Sequence, residues 1–247
     1  MNNEETRLAL LKVLYDKYFQ GQIEGYFPTS QVINFAKLEN EDQDIVLGNV
    51  DYIAKEGLVD GVRDVVTPYP INLTLQPYGI DYVESHYPET RDFHNNIRFR
   101  VLSILYGLHF GGHLGKSMDT TMMAKELMQF GGTINELYGD ITYLERKGFI
   151  FGNYASGTSY PFDIKIQNPG IDLVDSIVEK SLEDLQQKEL SPKIKSQIEE
   201  IQKQSDKKTK LEKFKDFMTD HQEETKSIIV DAIKEAIKLG FKMLSGG

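Results

Sequence analysis

The chain has 247 residues, 40% apolar and 27% charged, with a net charge of −10 and no cysteine. That length suits one or two globular domains with extensions, and the composition is that of an ordinary soluble protein. The absence of cysteine excludes disulfides, thiolate metal sites and a cysteine nucleophile together.

Residues 1–20 alternate charged and apolar groups, and no run of 18 uncharged apolar residues occurs anywhere. Neither a secretory signal nor a membrane-spanning helix is expected, and a cytoplasmic location follows from that reading. Leu8, Leu11, Leu14 and Tyr18 recur at helical spacing and predict a first helix. A loop carrying Gly21 and Gly25 leads to Pro28-Thr29-Ser30, whose cap-forming side chains start a second helix. A third helix is predicted from Glu41 to Glu56, burying Val46, Val50 and Ile53 and turning Asp42, Asp44, Asn49 and Asp51 to solvent. Gly57 then supplies the left-handed residue that ends such a helix. Leu58-Val59 and the alternating run Ile71 to Leu75 predict a β-hairpin, and a further helix begins at Pro77-Tyr78-Gly79-Ile80.

The same order recurs 91 residues later without a gap. Leu11, Leu14, Tyr15 and Phe19 return as Leu102, Leu105, Tyr106 and Phe110, and Gly48 to Ile53 returns as Gly139 to Leu144. Gln76-Pro77-Tyr78-Gly79-Ile80-Asp81 matches Gln167-Asn168-Pro169-Gly170-Ile171-Asp172. Solenoid repeats run to roughly 20–50 residues, so a period this long means duplicated domains. The expected boundaries are residues 1–90, 91–180 and a helical extension over 181–247. The predicted fold class is α+β: mainly α with small β-hairpins.

Three helices, a hairpin and a closing helix resemble the winged-helix superfamily. The string Leu73-Thr74-Leu75-Gln76-Pro77-Tyr78-Gly79-Ile80-Asp81-Tyr82-Val83 is similar to its wing-to-helix exit. The resemblance spans about residues 6–178 and implies two tandem winged-helix domains. It leaves function open, since such modules bind DNA or dock proteins. In the DNA-binding members the third helix enters the major groove, with basic residues steadying it on phosphate.

Charge weighs against that use in the first copy. Residues 1–90 hold 6 Lys/Arg against 15 Asp/Glu, whereas residues 91–180 hold 9 against 10. An acidic surface repels the phosphates that supply most non-specific nucleic-acid affinity. If DNA is bound, the candidate contacts are Lys55, Arg63, Arg98, Arg100, Arg146 and Lys147, with the second copy the better reader.

Beyond Val178 apolar residues thin out. Leu182 and Leu185 continue the last module helix, Pro192 starts another with Ile194, Ile198 and Ile201 on one side, and residues 202–210 read as a polar hinge. A final amphipathic helix is predicted at about 226–244. Its apolar face includes Ile229, Ile233, Ile237, Phe241 and Leu244, too broad to stay in water on a lone helix. Three coverings are open: packing on the chain's own modules, self-association, or a membrane surface.

Catalytic motifs are not expected. Gly111-Gly112-His113-Leu114-Gly115-Lys116-Ser117 lacks the first glycine of a phosphate loop, Phe110 standing there, and no strand precedes it. His109 and His113 have helical metal-pair spacing, but glycines lie between them and no third ligand is evident. His86 and His94 read as linker residues at the module junction. The expectation is a non-enzymatic adaptor without cofactor or metal, docking a protein partner or itself. The alternative is an oligomeric DNA-binding transcriptional regulator.

Overall fold

The computed structural model describes residues 1–221 except 24, 111–116, 129–130 and 188–189. In chain order the elements are α1 (Asn3–Phe19), β1 (Phe27–Pro28), α2 (Thr29–Phe35), α3 (Gln43–Lys55), β2 (Val59–Val62), β3 (Asn72–Leu75) and α4 (Pro77–His86). They continue as α5 (Pro88–Phe110), β4 (Met118–Asp119), α6 (Thr120–Met128), α7 (Ile134–Arg146), β5 (Ile150–Asn153), β6 (Asp163–Ile166), α8 (Asn168–Gln186), α9 (Pro192–Gln202) and α10 (Lys207–Asp220). The described chain is mainly helical, with two three-stranded antiparallel sheets ordered β1-β3-β2 and β4-β6-β5.

Local chemistry explains the boundaries. Asn2 opens α1 with a capping box: its side chain accepts from Glu5 N at 2.9 Å while the Glu5 carboxylate accepts from Asn2 N at 3.0 Å. Asp42 caps α3 by accepting from the amides of Asp44 and Ile45. After α3 and α7 the chain turns through Gly57 and Gly148, at φ +68° and +74°, a region that glycine enters without a Cβ penalty.

The duplication extends to individual hydrogen bonds. Thr29 Oγ1 donates to the Pro70 carbonyl at 2.5 Å, and its counterpart Thr120 Oγ1 donates to the Pro161 carbonyl at 2.6 Å. Val59 pairs with Leu75 as Ile150 pairs with Ile166. Tyr15 and Phe19 meet at 4.6 Å and 50°, Tyr106 and Phe110 at 4.7 Å and 49°. Both copies also bring the closing helix against the end of the third. Gln76 N donates to Leu58 O at 3.1 Å and Gln167 N to Phe149 O at 3.0 Å, which seats Gly79 and Gly170 directly over those carbonyls.

Two compact units emerge, and they do not divide at one point in the chain. The first contains Met1–Arg91 together with Gly132–Arg146 and Ser156–Tyr160, so α7 packs with the first copy. Its core is Leu10, Leu11, Leu14, Tyr18, Val50, Ile53, Leu73, Ile80 and Val83, all 1% exposed or less. The second contains Asp92–Gly131, Lys147–Ala155 and the chain from Pro161 onward. Val101, Leu102, Met123, Ile164, Val174 and Leu182 are fully buried or nearly so within it.

Some expectations change here. His94 is no linker residue: α5 runs unbroken from Pro88 to Phe110 and His94 is 3% exposed. The short strands β1 and β4 are additions, each two residues long and below the reach of an alternation pattern. The polar stretch 202–210 contains a helix start, because Asp206 accepts from Thr209 N at 2.8 Å and opens α10 at Lys207. Around it Ile198, Ile201, Leu211, Phe214 and Phe217 are buried, with α9 contacting both α8 and α10. The helix expected at 226–244, with Ile229, Ile233, Ile237, Phe241 and Leu244, lies outside the described residues. Among the described residues no helix is long and apolar enough to cross a membrane.

Candidate functional site

The third helix of each copy is the element on which the functional alternatives turn, and the two have different surroundings. On α3 the core side is Val46, Asn49, Val50 and Ile53. Asn49, expected at the surface, is buried because Arg7 Nε donates to its Oδ1 at 2.7 Å and its Nδ2 donates to Asn3 Oδ1 and Ile45 O. The opposite face stays open: Ile45 is 50% and Tyr52 40% exposed, and a Cβ added at Gly48 would meet nothing within 4 Å. The Arg7 guanidinium lies 3.5 Å from the Tyr52 ring centroid.

On α7 the equivalent face is covered by the end of α1. Tyr18 Oη donates to the Gly139 carbonyl at 3.1 Å, and a Cβ at Gly139 would stand 2.7 Å from Phe19 Cδ1. Tyr143 Oη donates to Asp81 Oδ1 at 2.7 Å, Asn135 Nδ2 to Gln20 O at 3.2 Å and Arg146 Nη1 to Leu75 O at 3.3 Å. Tyr138 stacks on Tyr160 at 3.8 Å and 7°. The run from Leu137 to Leu144 is buried throughout. Asp140 and Thr142, polar positions of this helix, are 0% and 1% exposed. The first turn differs, with Ile134 and Asn135 exposed.

The six basic candidates have different surroundings, three in each unit. Lys55 and Arg63 do come together, but on one carboxylate: Lys55 Nζ is 2.5 Å and Arg63 Nη2 2.7 Å from Asp51. The Lys55 hydrogen bond, then that of Arg63, holds the Asp51 carboxyl below its usual range. Arg98 and Lys147 are 2% and 8% exposed. Arg146 spends a donor on Leu75 O and places its guanidinium 5.9 Å from the Tyr18 ring centroid. Arg100 Nε donates to Asn96 Oδ1 at 2.6 Å, and burial pulls its pKa down.

Sequence reasoning missed the receiving residues Tyr18, Phe19 and Asp81. A usable signal was the glycine inside the α7 pattern, which costs about 1 kcal/mol relative to alanine unless something must approach the backbone closely.

A polar cleft of about 220 Å³ in the second unit is lined by Tyr106, Asp175, Glu179, Gln204, Lys207 and Lys210. Its charges satisfy one another. Tyr106 Oη and Lys207 Nζ each reach the Asp175 carboxylate at 2.5 Å, and Lys210 pairs with Glu179. In the first copy Tyr15 donates to Glu84 at 3.2 Å, so the tyrosine–carboxylate pair belongs to the duplicated framework. Burial, followed by the hydrogen bond and charge of Asp175, raises the Tyr106 pKa. A raised folded-state value contributes stability that is intact below the unfolded tyrosine pKa, about 10, and is lost as pH rises above it. Urea midpoints measured from about pH 9 to 11 should therefore fall less steeply for Tyr106→Phe than for the parent chain. Equal slopes would remove Tyr106 as the alkaline-sensitive group.

Among the described residues no three His, Asp or Glu side chains gather as metal ligands. His113 and the Gly111–Lys116 loop lie outside the described residues. Compared with known proteins, the chain matches no family model, no curated protein and no solved structure, so its own geometry carries the functional reading.

Proposed function

We propose that the chain is a non-enzymatic, cytoplasmic adaptor built of two tandem winged-helix modules that dock proteins. In this reading the extension after residue 180 adds a self-association element through its last helix, and no cofactor takes part. The observation that supports it is the use made of α7. The helix that a DNA-reading winged-helix protein would present to the groove is placed against the tyrosine–phenylalanine end of α1. Its counterpart α3 keeps an open face with exposed Ile45 and Tyr52 on the more acidic copy, a surface suited to protein and hostile to phosphate.

A gel-shift with random duplex DNA, titrated from about 50 to 200 mM salt, tests this reading. No shift is expected even at the low end. Binding that weakens by roughly 10³-fold or more across that range would overturn the adaptor in favour of the DNA-binding regulator.

A further inference from the structure

The interface between α7 and α1 has a second set of corresponding residues on the same chain. Shifted by 91 residues, the docking residues Gly139, Tyr143 and Arg146 of α7 become Gly48, Tyr52 and Lys55 of α3. Shifted the other way, the receiving residues Phe19 and Asp81 become Phe110 and Asp172.

Both halves of this second set are in place. On the docking half, Tyr52 is 40% exposed where Tyr143 is 1%, and Gly48 has open space where Gly139 has the Phe19 ring. On the receiving half, the Tyr106–Phe110 pair reproduces the Tyr15–Phe19 geometry to within 0.1 Å and 1°. Phe110 is half-buried and Asp172 exposed. Gly48 adds an argument of its own. Glycine weakens a helix interior, and among the described residues nothing approaches Gly48 closely enough to require it. A phenylalanine ring arriving from outside would require it, as Phe19 does at Gly139. Three positions depart from the template: Tyr18 corresponds to His109 and Asn135 to Asp44, so the Tyr18 hydrogen bond to Gly139 and the Asn135 contact to a carbonyl have no equivalent, and Arg146 corresponds to Lys55, which pairs with Asp51.

We infer that α3 of one molecule docks on the Phe110–Asp172 surface of a second copy of this chain, repeating between molecules the contact that α7 makes with α1. The surfaces on the two sides differ, so the association is head-to-tail. It grows into a ring or a filament instead of stopping at a two-fold dimer. This surface is separate from the last helix assigned to self-association above, and the DNA gel-shift decides the adaptor reading without bearing on it.

Sedimentation velocity of the full chain across a hundredfold concentration range, with two variants, provides the test. Gly48→Arg blocks only the docking half, and Asp172→Arg only the receiving half; both sites are exposed, and circular dichroism would verify that each variant folds. The parent chain is expected to form a series of larger species as concentration rises. Each variant alone should associate at least tenfold more weakly. Mixed one to one, the variants should form a capped dimer in which one intact docking half meets one intact receiving half, growing no further by this contact and joining others only through the last helix. A parent chain that stays monomeric throughout overturns the proposal. So does association that both variants leave unchanged, which would assign it to the last helix, and so does a mixture without the capped dimer.

Discussion

Replacing Gly79 or Gly170 with alanine is expected to cost about 3 kcal/mol or more in either copy, the largest single-residue effects outside wholesale core truncation. A Cβ at Gly79 would stand 2.2 Å from the Leu58 carbonyl oxygen and 2.7 Å from Leu75 Cδ1. At Gly170 it would stand 2.3 Å from the Phe149 oxygen and 2.9 Å from Ile166 Cγ1. The obstacle is backbone and cannot rotate away. The same carbonyls accept from Gln76 N and Gln167 N, so moving them breaks the bond that starts the closing helix. Neither glycine is among those with positive φ, which makes the requirement purely steric. Urea denaturation of each variant, extrapolated linearly, measures the loss. A cost below about 1 kcal/mol at both positions would mean that helix and hairpin separate easily, against the close approach described here.

The second large effect is a difference in sign between twins. Gly139→Ala drives a methyl into the Phe19 ring, which is held between Tyr15 and Tyr18, and should destabilise by about 1–3 kcal/mol. Gly48→Ala, at the same position of α3, meets nothing within 4 Å and should stabilise by about 0.4–1 kcal/mol through its better helix propensity. Thermal melts of the two variants at low protein concentration read the comparison directly. Two shifts in the same direction would refute the assignment of Phe19 as the group that needs Gly139 bare.

These glycines also mark what the sequence could reveal. Elements that bury one face locally were legible: the third helices, the hairpins and the left-handed Gly57 and Gly148 all follow from short-range pattern. So did the duplication, because Thr29 with Pro70 and Thr120 with Pro161 keep both residue identity and spacing. The burial of α7 was not legible. Gly139 and Tyr143 are the same residue types as Gly48 and Tyr52, and the difference lies in what covers them. That covering comes from residues 62 to 121 positions earlier in the chain, beyond any periodicity argument. Asp140 and Thr142 compounded the difficulty, since polar side chains in an amphipathic pattern read as solvent-facing whether or not a second body lies over them. The surroundings of the basic candidates were hidden for a related reason. A lysine or arginine count registers charge, but not that Arg63 and Lys55 are already held by Asp51.

The insertion of α7 into the first unit has a consequence for the order of events during synthesis. The Tyr18 hydroxyl finds its acceptor at Gly139, 121 residues later. When the ribosome has released residues 1–91, the first copy has all its own helices and strands, yet the Tyr18–Phe19 end of α1 is still uncovered. It stays so until Arg146 emerges, and at about 5–20 residues per second that interval lasts several seconds. Closing so long a loop costs entropy before its contacts reward it, so docking of α7 belongs among the late steps of folding. During that interval the bare aromatic end is the surface on which a neighbouring nascent chain could place its own third helix.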